Sequence, residues 1–449
     1  MEDPIKATPA EKWIINPLNN FISKSTTGGI LLFIAAVVAI FLANSSWKDW
    51  YHHIWEHKIG FTINDELYLN YTIHHWVNDG LMAVFFFVVG LELKREMIGG
   101  ELSQPKKALL PIVAAIGGMV FPALIYTLFN FGADSSHGWG IPMATDIAFA
   151  LGVLYLLGDK IPATLKIFLT ALAIVDDLGA VLVIAFFYTA SINSLALGIG
   201  LGFFVFLLIC NKFGIRNILF YALVGIAGVW LPFLLSGVHA TIAAVLVAFT
   251  IPAGSRIDET LFISKIRTRL NQFKELDPTD APTLSEDQLH VLQNIRKLSK
   301  DAMSPLHRLE HGLHSLVSFI IMPVFALANA GVTFSSGIIE NAASSVTLGV
   351  VFGLLAGKVI GVYGVSSLMI RFKWASLPEG LTNKSLFGVG FLASIGFTMS
   401  LFVTNLAFEN PEYELQAKLG IFAASLIGGV IGYFLLSKNN NPENSITNL

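Results

Sequence analysis

Ala171-Leu172-Ala173-Ile174-Val175-Asp176-Asp177-Leu178-Gly179-Ala180 sets two adjacent carboxylates near the middle of an apolar run over 163–189. A run of that length supplies the roughly 20 residues that a helix needs to cross a bilayer core about 30 Å thick. An ionisable side chain at the bilayer centre costs roughly 2.5 to 3.5 kcal/mol on insertion scales, so a pair of them marks a functional site. Neighbours on a helix point about 100° apart, which lets both border one cavity with unequal exposure. Like charges this close in a low dielectric need a counter-charge or a bound proton, and a cation then competes with protons for the same oxygens.

The composition agrees with lipid as the solvent. Of 449 residues, 54% are apolar and 13% charged, whereas charged residues make up about a quarter of soluble domains. A net charge of −3 gives no surplus of Lys and Arg for phosphate, which excludes nucleic acid as a partner. One cysteine, Cys210, excludes an internal disulfide and reads as a small buried hydrophobe. Residues 1–25 are polar, with no signal-peptide core before the first apolar run, so the first span is expected to be retained.

The chain contains twelve such stretches, near 28–44, 73–90, 108–131, 141–157, 163–189, 194–210, 217–235, 238–252, 313–332, 346–370, 385–408 and 417–436. Their connections alternate in basic content. Lys12 and Lys24 precede the first span; Lys94, Arg95, Lys106 and Lys107 follow the second, Lys160 the fourth, Lys212 and Arg216 the sixth, and Arg371, Lys373 and Lys384 the tenth. The connections 133–138, 190–193, 236–237 and 333–345 contain neither Lys nor Arg. Basic loops stay on the cytoplasmic side, so both termini are expected inside, as a 1–25 tail and a 437–449 tail. The chain reads as one membrane domain over 1–449. An outward loop at 45–72 alternates in a way that predicts a hairpin, and a homodimer contact is one use for it. A polar segment at 253–308 holds Pro278, Pro282 and Pro305 with helix-like pieces at 261–273 and 286–300, and reads as a solvated cytoplasmic insertion.

Other polar residues fall inside apolar runs. The fourth span opens Gly140-Ile141-Pro142-Met143-Ala144-Thr145-Asp146, and the eleventh carries Gly388, Gly390, Ser394 and Gly396. Both read as interrupted helices, tolerated at membrane depth where they line a cavity. Half-helix ends carry roughly half a unit charge each, for which Asp146 suits the positive ends and Lys358 the negative ones. Lys358 is equally suited to an ion pair with Asp176 or Asp177. Gly349, Gly353, Gly357 and Gly361 recur every fourth residue and predict a smooth face for close helix packing.

With these residues in view, the chain closely resembles the NhaA family of sodium/proton antiporters. The resemblance rests on Asn78-Asp-Gly-Leu-Met-Ala-Val-Phe-Phe86, Val89-Gly-Leu-Glu-Leu-Lys-Arg-Glu96, Ala144-Thr-Asp-Ile-Ala-Phe-Ala-Leu-Gly152, Ala173-Ile-Val-Asp-Asp-Leu-Gly-Ala180, Ser236-Gly-Val-His-Ala-Thr241 and Ser394-Ile-Gly-Phe-Thr-Met-Ser400. It implies an all-α polytopic membrane protein of about twelve transmembrane helices, with NhaA-type inverted repeats, crossed interrupted helices 4 and 11, and a cytoplasmic funnel. It also implies electrogenic extrusion of Na+ or Li+ across a bacterial inner membrane in exchange for H+, with no cofactor and no enzymatic chemistry. Under the resemblance Asp176 and Asp177 are the ion-binding pair, Thr145 and Asp146 the interrupted-helix residues, and Lys358 the buried lysine. The family's pH response maps to Glu92, Glu96, Glu310 and His311, with His239 as a further candidate. The long segment before Arg308 departs from the shorter family form, which bears on that response.

Three rival readings share some of these features. A passive cation channel would also hold carboxylates at mid-depth, but Lys358 beside the pair favours binding and release in turn. An intramembrane aspartyl protease places its two aspartates on separate spans, one in a Gly-x-Gly-Asp motif that this chain lacks. His307, His311 and His314 share a helix face and suit a transition metal, but no HExxH pattern accompanies them. Glu92 and Glu96 also fit an ordinary solvated face beside Lys94 and Arg95.

Overall fold

A computed structural model describes residues 26–63, 66–158, 161–189, 192–276, 283–334 and 337–438. The N-terminal tail over 1–25, the C-terminal tail beyond 438, Lys160, Pro278 and Pro282 lie outside the described residues. Among the described residues, eight helices are long and apolar enough to cross a membrane, three further pairs are bent at a short break, and one apolar helix is shorter. Together they occupy the twelve apolar stretches of the sequence, and the protein is a multi-pass membrane protein. We number them spans 1 to 12.

Spans 1, 2 and 3 run over Thr26–Ala43, Ile73–Gly99 and Pro105–Phe129. Span 4 is Asp134–Met143 followed by Ile147–Leu156, bent by 41°. Spans 5, 6 and 7 are Ala163–Phe187, Ser194–Lys212 and Ile218–Ser236. Span 8 is the shorter Ala240–Thr250; at 1.5 Å per residue it covers only about 16 Å. Spans 9 and 10 are Pro305–Asn329 and Ser345–Arg371, span 11 is Asn383–Leu392 followed by Phe397–Ala407 with a 45° bend, and span 12 is Pro411–Lys438. Span 9 begins earlier than hydropathy alone suggests, because Ser304 caps its first turn through the His307 amide and Pro305 occupies the first helical position.

Burial sorts the spans. The most apolar windows of spans 2 and 5 are 61% buried, those of spans 6 and 7 only 17% and 28%. Leu128, Phe186 and Leu195 are each at least three-quarters exposed, which in a membrane protein means facing lipid. One apolar core joins spans 1, 2, 9 and 12 to Phe397–Ala407. A second joins spans 3 and 5 to Ile147–Leu156 and Asn383–Leu392. The two broken spans lie where these cores meet.

Packing against span 3 explains the glycine repeat of span 10. Gly357 lies on Pro122, Gly353 between Pro142 of span 4 and the Pro122 carbonyl, and Gly361 lies against the Gly117 backbone so closely that an added methyl would overlap its carbonyl. Span 10 also contains wide π-type turns at Gly353–Gly357 and Val359–Gly364, on either side of Lys358. Such turns insert an extra residue per turn and re-aim the side chains beside them.

Outside the spans, a short helix Lys48–Glu56 precedes strand β1, Lys58–Ile63, which pairs antiparallel with β2, Glu66–Thr72. The tip at Asn64 and Asp65 lies outside the described residues. Between spans 8 and 9 two polar helices, Glu259–Glu275 and Glu286–Ala302, are packed on each other.

Candidate functional site

Both broken spans come apart at polar residues, and each break is held by the other. At the first, Ala144 and Asp146 are extended and Asp146 caps Ile147–Leu156, its Oδ1 accepting from the Phe149 amide at 3.0 Å. Its Oδ2 accepts from the Thr398 amide at 2.9 Å and the Thr398 hydroxyl at 2.5 Å, in the first turn of Phe397–Ala407. One carboxylate therefore serves the positive ends of both half-helices. The Asp146 amide donates to the Ile395 carbonyl at 2.6 Å. Gly396 lies so close to the Ala144 carbonyl and the Ser400 hydroxyl that a side chain there would displace one of them.

Hydroxyls meet the carbonyls near the opposite, negative ends. Thr145 Oγ1 lies 2.9 Å from the Ala393 carbonyl, and Ser400 Oγ donates to the Ile141 carbonyl at 2.8 Å. Lys358 was expected to serve either these ends or the carboxylate pair; its contact is with the pair. The Lys358 ammonium forms an ion pair with Asp176 Oδ2, and the Thr145 hydroxyl lies 2.6 Å from the same oxygen. Thr145 has a single proton for two acceptors, which ties the break in span 4 to Asp176.

The remaining oxygens of the pair are bare. Asp176 Oδ1 and both oxygens of Asp177 are buried without a hydrogen-bond partner among the described residues. Asp176, Asp177, Thr145, Asp146 and Lys358 are all at most 1% exposed. Buried polar groups are normally satisfied, so unpartnered carboxylate oxygens beside a buried ammonium call for a ligand or a proton. Oxygen donors of this kind suit a hard cation. Thr398 and Ser400 belong to this constellation although sequence reasoning did not single them out as site residues. The signal was present, in hydroxyls placed just after the break at Gly396.

The expected pH-response residues divide. Arg95 bridges Glu310, at 3.0 Å from Nε, and Glu96, at 2.8 Å from an η nitrogen. Glu92 faces His314 rather than His311, with Nδ1 3.9 Å from its carboxylate, while His311 is exposed. Glu92 and Glu96 are only 20% and 12% exposed, which corrects the reading of a solvated face. His239 lies apart from this cluster, with Nε2 3.1 Å from the Tyr188 carbonyl. His307 turns to Ser304 at 2.8 Å, and no group of metal-ligating side chains forms among the described residues. Lys94, read from sequence only as a loop charge, donates to the Phe249 and Ile251 carbonyls at 2.6 and 2.5 Å and so closes the C-terminal end of span 8.

Comparison with known proteins adds an independent line. Residues 19–436 match the family described as Na+/H+ antiporter 1. The Na(+)/H(+) antiporter NhaA of Wolinella succinogenes is 48% identical over 421 residues, 94% of this chain and 92% of that protein. The protein of the same name from Oleidesulfovibrio alaskensis is 47% identical over 97% of both chains, and that from Christiangramia forsetii 42% identical over 97% of both.

Proposed function

The chain belongs to the Na+/H+ antiporter 1 family and is a transporter, not an enzyme, and from that premise we propose how its residues exchange the ions. Na+ enters from the cytoplasm past the Arg95 cluster and binds the bare oxygens of Asp176 and Asp177, with Thr145 at the edge of the site. Its charge displaces the proton held by the pair and weakens the hold of Lys358 on Asp176, so that the freed ammonium gives up a second proton and more positive charge returns than leaves. The loaded site then opens to the outside, Na+ leaves, and protons return. Li+ is a second cargo, since a small hard cation suits the same oxygens. The exchange is electrogenic and pH-regulated, the protein sits in the bacterial inner membrane with both termini cytoplasmic, and the β1–β2 hairpin serves a homodimer.

The single observation that carries this reading is the set of three unpartnered carboxylate oxygens next to the buried Lys358 ammonium. Their near-complete burial supports alternating access over a passive channel, which would keep its carboxylates wet. Two aspartates side by side on one helix do not face each other as a protease pair must.

In inside-out vesicles, Asp177→Asn is expected to abolish sodium-driven proton movement in a protein that still purifies as a folded species. Retained exchange would refute the assignment. In the unaltered protein, each unit fall in pH should raise the sodium needed for half-maximal exchange by at least about tenfold, one decade for each competing proton. A sodium requirement that ignores pH would exclude competition.

A further inference from the structure

Between spans 1 and 12 the surface opens into a long groove of about 570 Å³. Phe33 and Val37 of span 1 stand on one side, and Leu426, Val430 and Phe434 of span 12 on the other. Among the lining residues only Ser425 and Tyr433 carry a polar side-chain atom, so the groove suits neither an ion nor a hydrated solute. Phe33, Leu426, Val430 and Phe434 are about half exposed or more, which opens it to lipid. Gly429 keeps the floor uncovered, since a methyl there would meet Ile395 and Val153 only at ordinary contact distance.

At its deep end the groove stops on the crossing of spans 4 and 11. Four rings from four spans touch in sequence there: Phe33 lies 6.4 Å from Phe149, Phe149 5.0 Å from Phe397, and Phe397 5.6 Å from Phe422 between centroids. Phe149 is a residue whose amide Asp146 caps, and Phe397 precedes Thr398, the other one. Ile395, whose carbonyl accepts from the Asp146 amide, also lines the groove. Whatever fills it therefore presses on the side chains of the residues that hold the two breaks together.

The other end points to the membrane surface. Phe422, Leu426, Val430, Phe434 and Lys438 recur at every fourth residue of span 12 and so form one row. From Phe434 to Phe422 this row rises about 18 Å, close to the roughly 15 Å depth of one leaflet of the bilayer core. Lys438 is exposed one turn beyond the mouth, at the depth where lipid phosphates lie. A lipid tail is as apolar as these walls, so shape decides: a gap left empty forfeits contacts on every side, and one ordered chain restores them. We propose that the groove binds one acyl chain of a phospholipid, its phosphate toward Lys438 and its methyl end against the wall of Phe149 and Phe397, and that this chain steadies the crossing during exchange. The effect on exchange rests on the reading above; the site itself does not.

Photolabelling locates the chain. In dioleoyl phosphatidylcholine vesicles doped with a phospholipid that bears a carbene precursor at the end of one chain, labelling at Phe397 and Phe422 is expected to exceed that at the exposed Leu201 and Phe203 of span 6 about tenfold. Val430→Trp fills the groove and should bring labelling down to the span 6 level. Gly429→Leu, whose first side-chain carbon meets only ordinary contacts, stands in if the tryptophan variant does not fold. Labelling no greater than on span 6, as bulk lipid or a second copy of the chain on this face would give, would overturn the site, and so would labelling unmoved in the filled variant. Sodium-driven proton movement reads the steadying: shortening the chains from dioleoyl to dimyristoleoyl should slow the wild type about threefold more than Val430→Trp. A thinner bilayer acts on both, so equal slowing in the two would strike out the hold on the crossing. The photolabelling needs no sodium, so exchange that survives Asp177→Asn counts against the exchange reading alone.

Discussion

The crossing of spans 4 and 11 and the polar pair Glu259–Glu275 and Glu286–Ala302 face the same problem, helix ends with unsatisfied amides, and solve it at opposite ranges. In the polar pair each cap is local: Asp258 binds the Leu261 amide, and Ser285 binds Gln288 in a reciprocal capping box. At the crossing the cap of Phe397–Ala407 is Asp146, 252 residues away. Water satisfies a frayed helix end on the surface, whereas at membrane depth the protein itself must supply every partner. The difference teaches where a sequence change should propagate and where it should stay local.

The largest effect should come from breaking the shared cap. Asp146→Ala leaves the Phe149 and Thr398 amides and the Thr398 hydroxyl without their acceptor. At about 1 to 3 kcal/mol for each orphaned buried donor, a loss of at least about 3 kcal/mol follows. Thermal unfolding in detergent should register it as a sharply lowered midpoint, and Asp146→Asn, which keeps one carbonyl oxygen, should lose less. A midpoint unchanged in Asp146→Ala would show that the two breaks are held by packing alone, and the contrast with the polar pair would collapse.

An intermediate case sharpens the comparison. Lys94 closes the end of span 8 from span 2, long-range like Asp146, but it is partly exposed where Asp146 is buried. Lys94→Met keeps the packing of its stem and removes the donor, so the expected loss is about 1 to 2 kcal/mol. A loss as large as that of Asp146→Ala would mean that distance in sequence, and not depth, sets the scale.

Much of this was legible beforehand, for reasons that the same contrast explains. The spans are encoded by length and apolarity, and the basic loops agree with their order. Asp176, Asp177, Asp146 and Lys358 stand out because a charge in an apolar run has few benign explanations. The surface helices are announced by their own local caps. What stayed hidden depends on contacts between distant segments. That Asp146 reaches Thr398 follows only from the crossing, and that His314 faces Glu92 depends on the rotation of span 9. The wide turns around Lys358 leave no mark in hydropathy, since an inserted residue in an apolar helix looks like any other.

The smallest expected effect belongs to Asp258, where a local cap meets water. Its carboxylate accepts from the Leu261 amide at 2.8 Å and the Thr260 hydroxyl at 2.9 Å, and these bonds hold it below the usual aspartate range. A depressed value in the folded helix means that the ionised cap steadies the first turn of Glu259–Glu275 at any pH above the ordinary aspartate value of about 3.9. That contribution shrinks as pH falls below it and is gone once the depressed value is passed. Amide exchange at Leu261, corrected for its intrinsic pH dependence, should therefore lose protection as pH falls below the ordinary aspartate value and through the depressed one, with the rest of the helix unaffected. Asp258→Asn, whose amide oxygen still accepts, should flatten the pH dependence without unwinding the turn. If acid instead loosens the entire pair of surface helices, their caps are not local, and the division between surface and membrane depth fails at its mildest point.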